Sequence, residues 1–92
     1  MSVETTVEIV PEAGLHARPA SKFVQVVNDH DADVEAGPPE GDLVSAASMI
    51  AVTSLGVGQG DELRLVADGP EAEAVLDELA RILTTPEAEL DA

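Results

Sequence analysis

Val3-Glu4-Thr5-Thr6-Val7-Glu8-Ile9 alternates apolar or β-branched side chains with polar ones, and from Pro19 the period changes. Ala20, Phe23, Val24 and Val27 then recur at i, i+3, i+4 and i+7. The first pattern is a strand with one buried face, and the second is one face of a helix. Pro11-Glu12-Ala13-Gly14 breaks the chain between them. Pro19 has no N–H to donate, so it fits only the first turn of the helix. The spacing predicts that this helix ends near Asn28. A strand followed by a helix through a short break sets the class of fold.

The same reading extends to the C-terminus. Asp33 to Ala36 is a short strand with Val34 and Ala36 on one face. Gly37-Pro38-Pro39-Glu40-Gly41 is a turn, so Leu43 to Ser45 returns as a hairpin partner. From Ser48 to Leu55, Met49, Ile50, Val52 and Leu55 have helical spacing, with Ser48 placed to cap. Gly56, Gly58 and Gly60 end that helix, and Leu63, Leu65 and Ala67 alternate with Glu62, Arg64 and Val66 as a further strand. Asp68-Gly69-Pro70 opens the last helix, with Pro70 at its first helical position. Ala72, Val75, Leu76, Leu79, Ile82 and Leu83 form its apolar stripe, and Asp77 and Arg81 an i,i+4 ion pair. Pro86 stops it, and the acidic tail to Ala92 is expected to fray. The order is βαββαβα, an α+β domain over residues 1–92. One sheet is expected to carry three helices on one face and leave the other face to solvent.

Composition limits what such a domain does. The 92 residues hold 19 acidic and 4 basic side chains, a net charge of −15. That excludes non-specific nucleic-acid binding, which needs cations against phosphate, and opposes docking on anionic membranes. No cysteine is present, so no disulfide, thiolate nucleophile or cysteine-ligated zinc exists. No apolar run reaches a membrane span, and the acidic start is no signal peptide, so a cytoplasmic protein is expected. Aromatics amount to Phe23 alone, so the core must be aliphatic. Like charges at this density repel across a domain whose radius of gyration should be about 12 Å. Molar salt shortens the Debye length from about 8 Å to about 3 Å and relieves that repulsion. The composition reads as that of a halophile's protein.

Gly14-Leu15-His16-Ala17-Arg18-Pro19-Ala20 carries the chemistry. His16 falls close to the N-cap of the first helix. The leading N–H groups there, of Ala17 and Arg18, point out of the helix end and are expected to bind an anion. The positive helix end favours a neutral, nucleophilic imidazole over imidazolium. Arg18 adds a cation whose fork fits a phosphoryl group. Two of the four cations, Arg18 and Lys22, fall within seven residues of the chain, where even placement would put about 0.3. A neutral imidazole beside an anion cradle suits phosphoryl transfer. His30 reads as a surface residue at the end of the same helix. No metal site or cofactor is implied, because only His30 could join His16 and no carboxylates have ligand spacing.

That heptapeptide resembles the active-site motif of HPr, the histidine phosphocarrier family of the phosphoenolpyruvate-dependent sugar phosphotransferase system. Ser48-Met49-Ile50-Ala51-Val52-Thr53-Ser54-Leu55-Gly56 is similar to the family's second signature, at matching spacing. The resemblance implies an open-faced β-sandwich with a four-stranded antiparallel sheet. It implies that His16 accepts a phosphoryl group on Nδ1 from phosphorylated Enzyme I. His16 would then pass it to the A component of a sugar permease, of fructose type, or to a dihydroxyacetone kinase component. Arg18 and the N–H groups of Ala17 and Arg18 match the family's phosphate site. Ser48 matches a serine phosphorylated by a dedicated kinase in some members. Leu15, Met49 and Ile50 are expected to form the apolar partner surface.

The chain departs from the family at Ala13, Ala47, Gln25 and Asn28, where hydroxyl or lysine residues are common, so its partner surface is less basic. A carrier that meets two partners through one face is expected to be a monomer. Two other readings are a regulatory relative acting by protein binding and a generic α+β binding module. The first would not need a histidine at position 16, and the second has no pocket signature.

Overall fold

The computed structural model describes residues 2–90. Strand β1 (Ser2–Glu8) leads into helix α1 (Ala17–Asp29), then β2 (Asp33–Gly37), β3 (Val44–Ser45), α2 (Met49–Ser54), β4 (Glu62–Asp68) and α3 (Ala72–Leu83). The strands form one antiparallel sheet in the order β1-β4-β2-β3. Val3 pairs with Ala67 and Val7 with Leu63 across β1 and β4, and Val34 with Ala67 across β2 and β4. Period two therefore aims Leu63, Leu65, Ala67, Val34 and Ala36 at one face, where all five are buried.

The helices cover that face. Phe23 of α1, Val52 of α2 and Val75, Leu79 and Leu83 of α3 reach the same aliphatic core, with Phe23 fully enclosed. The opposite face is open, with Glu4, Glu8, Glu35 and Glu62 exposed on it. There the Arg64 Nε donates to Glu4 Oε2 at 2.6 Å. Both partners are solvated, so this pair contributes under about 1 kcal/mol. The net charge of −15 sits on a body of 11.6 Å radius of gyration. Among the described residues, no helix is long and apolar enough to cross a membrane.

Outside the candidate site, the structure departs from the sequence expectations in four places. Helix α3 starts at Ala72 with Glu71 as its N-cap, so Pro70 stands in the turn before it. Glu71 N–H donates to Asp31 O and Ala72 N–H to Gly69 O, which holds that turn outside the helix. Arg81 pairs with Glu78 at 4.0 Å, three residues back, rather than with Asp77. The tail through Leu90 does not fray, since Glu87–Glu89 form a 3-10 turn and Leu90 is buried, and Asp91 and Ala92 lie outside the described residues. Leu90 lines a cleft together with Val26 and Ile82. Strand β3 is only two residues long, Leu43 lying before it.

Candidate functional site

His16 is the N-cap of α1. Its backbone is extended, at φ −138° and ψ 169°, and its ring makes no capping hydrogen bond. The first helical bond runs from Ala20 N–H to His16 O at 3.4 Å, so the N–H groups of Ala17 and Arg18 precede any acceptor inside the helix. Pro19 sits third in the helix and is buried, where its missing donor costs nothing. Ala17 has φ 50°, the single positive φ outside glycine among the described residues. The left-handed region costs an L-residue about 1–2 kcal/mol, so the chain is turned sharply just after His16. His16 is half-buried, and Ala17 and Arg18 are exposed.

The loop before His16 is fixed from below. Gly14 N–H donates to Pro11 O at 2.9 Å, and Leu15 N–H donates to Val57 O at 3.0 Å. Gly14 has φ 72°, and a Cβ there would lie 2.6 Å from Val57 O and 2.7 Å from Gly58 Cα. Only glycine permits that approach. Leu15 is fully buried. It was expected on the partner surface and instead belongs to the core, because its N–H is drawn down onto Val57.

Helix α2 packs against α1. Ser48 caps it, its Oγ accepting from Ala51 N–H at 3.2 Å. Met49 and Ile50 are the exposed large hydrophobic residues, at 37% and 81% exposure. Asn28 Nδ2 donates to Val24 O at 3.0 Å and to Ala47 O at 3.4 Å, which ties the end of α1 to the start of α2. The structure thus places His16 and Arg18 at one helix start and Met49 and Ile50 on the helix packed beside it. The support given by Val57, Gly58 and Asn28 was not read from the sequence. The three glycines from Gly56 to Gly60 marked a turn there, but not what it touches.

His30 lies away from this group. It caps the C-terminus of α1, with Nδ1 2.8 Å from Val26 O and Nε2 3.9 Å from Glu78 Oε2 on α3. A carbonyl only accepts, so Nδ1 carries the proton. The residue is a structural clasp rather than a free surface side chain.

The chain as a whole has counterparts among known proteins. Residues 3–85 match the family model described as PTS HPr component phosphorylation site. The chain is 63% identical over 87 residues to a phosphocarrier protein HPr of Haloferax volcanii, covering 94% of this chain and 98% of that one. It is 44% identical over 70 residues to the HPr of Streptomyces coelicolor, covering 76% and 75%. The crystal structure of HPr from Bacillus anthracis superposes with a TM-score of 0.84 at 34% identity, over 89% of this chain and 96% of that one. Sequence and architecture agree along almost the whole length, and the chain belongs to the HPr family, the phosphocarrier proteins of the phosphotransferase system.

Proposed function

We propose that His16 is the residue that carries the phosphoryl group in this phosphocarrier. The lone pair of its Nδ1 attacks the phosphorus of phosphorylated Enzyme I, and the phosphorus–nitrogen bond of the donor breaks as the new one forms. The next acceptor reverses the step. The candidate acceptors are the A component of a fructose-type sugar permease and a dihydroxyacetone kinase component. One observation carries this reading: His16 is the N-cap residue of a helix, its ring makes no capping hydrogen bond, and the first N–H groups and Arg18 follow it directly. Charge developing on the phosphoryl oxygens in flight would be met by these donors. Met49 and Ile50 supply the apolar contact for both partners, and a monomer suffices.

Ser48 is the candidate regulatory site. A phosphate on its Oγ, which accepts from Ala51 N–H, would place a dianion at the start of α2 beside Met49 and Ile50.

The test is incubation with phosphoenolpyruvate and Enzyme I. Wild type gains an acid-labile, base-stable phosphate, and His16→Ala gains none while remaining folded. Arg18→Ala slows single-turnover transfer at saturating donor, and Arg18→Lys recovers part of it by restoring a point charge without the fork. Labelling of His16→Ala would refute the assignment.

A further inference from the structure

The loop that delivers His16 rests on the turn at residues 56–61 at both of its ends. At one end Ile9 N–H donates to Asp61 O at 2.9 Å, Gly60 N–H to Ile9 O at 2.8 Å, and Gln59 Nε2 to Val10 O at 3.1 Å. At the other, Leu15 N–H donates to Val57 O at 3.0 Å, and Gly14 meets Val57 and Gly58 backbone to backbone. The position of His16 therefore follows the position of this turn. With Gly56, Gly58 and Gly60 in it, the turn has few side chains to hold it. Asp61 closes it twice: its N–H donates to Gly58 O at 3.0 Å, and its Oδ2 accepts from Gly58 N–H at 2.9 Å. The second bond holds Gly58 at the point pressed against Gly14.

We infer that Asp61 is a positioning residue for phosphoryl transfer. Its carboxylate fixes Gly58 and Val57, these fix Gly14 and Leu15, and the direction of the His16 ring follows. The inference rests on His16 being the phosphoryl acceptor. The carboxylate acts as a hydrogen-bond acceptor and not as a charge. A side chain that accepts from Gly58 without charge therefore serves equally, whereas one that cannot accept does not. Asparagine keeps the acceptor oxygen and alanine lacks it.

The experiment compares wild type, Asp61→Ala and Asp61→Asn in single-turnover transfer from phosphorylated Enzyme I, beside amide NMR spectra of the unphosphorylated proteins. Misplacing a nucleophile by about an ångström costs up to about a hundredfold. Asp61→Ala is expected to lower the rate at saturating donor about tenfold with the half-saturating donor concentration unchanged, and Asp61→Asn to stay within about twofold of wild type. The amide resonances of Leu15, Ala17 and Gly58 should move in Asp61→Ala and return in Asp61→Asn. A full rate in Asp61→Ala, an equal loss in both variants, or a change confined to half-saturation overturns the inference. Wild-type protein that takes no label on His16 refutes the acceptor assignment instead. The spectra still decide the positioning, because unmoved Leu15 and Ala17 resonances in Asp61→Ala overturn it on their own.

Discussion

Glu8 and Glu62 stand directly opposite each other as cross-strand partners of β1 and β4. Asp33 and Asp68 face each other in the same way across β2 and β4. Like charges directly opposite destabilise a sheet by up to about 1 kcal/mol per pair. This fold sets two such pairs within a body of net charge −15. The repulsion is between exposed groups, so added ions screen it. The urea midpoint is expected to rise as potassium chloride increases from about 0.1 M to about 1 M. Glu62→Gln should add about 0.5 kcal/mol at the lower salt and much less at the higher. A midpoint that stays flat or falls would remove repulsion from the account.

Leu15 and Ile50 separate packing from docking. Leu15 is fully buried and Ile50 is 81% exposed. Leu15→Ala is expected to cost about 2–5 kcal/mol of stability through the cavity it leaves. Ile50→Ala should change stability by less than about 0.5 kcal/mol and weaken binding to Enzyme I. Thermal melts beside a binding titration measure both. Unchanged binding by Ile50→Ala would remove α2 from the partner surface.

The strands and the long helices were legible because their periods are local. The alternation from Val3 to Val7 and the stripe from Ala72 to Leu83 each announce a buried face without reference to the rest of the chain. The helix start at His16 was legible for the same reason, since Pro19 restricts where the first turn falls. Leu15 was misplaced because no period governs a loop residue. Its burial is decided by Val57, 42 positions away, which accepts its N–H. Leu90 was misjudged likewise, an isolated apolar residue in an acidic tail that is buried where it lines a cleft with Val26 of α1 and Ile82 of α3. The sheet order β1-β4-β2-β3 depends on crossovers that no local pattern records.

His30 should matter for stability and not for transfer. Its Nδ1 bond to Val26 O satisfies a carbonyl at the end of α1, and its ring leans towards Glu78 of α3. A hydrogen bond of this kind is worth about 1 kcal/mol. His30→Ala is expected to lower the melting temperature by roughly 5 °C, as that energy implies for a domain of this size. Its phosphoryl acceptance should equal that of wild type. A transfer defect at full stability would place His30 in the reaction after all.

Ala17 separates backbone strain from side-chain chemistry, because its side chain is only a methyl group. At φ 50° that methyl opposes the conformation it is held in. Ala17→Gly relieves about 1 kcal/mol in the folded state and loses a similar amount through the freer unfolded chain. Stability is therefore expected to change by less than about 0.5 kcal/mol. Ala74, exposed within α3, is the control, since glycine there should cost about 1 kcal/mol with no strain to relieve. Transfer gives the second comparison. The turn at Ala17 follows His16 directly. Ala17→Gly, freer at this turn, is expected to slow single-turnover transfer while the melt is unmoved. A loss of stability as large as that of Ala74→Gly would mean that Ala17 bears no strain.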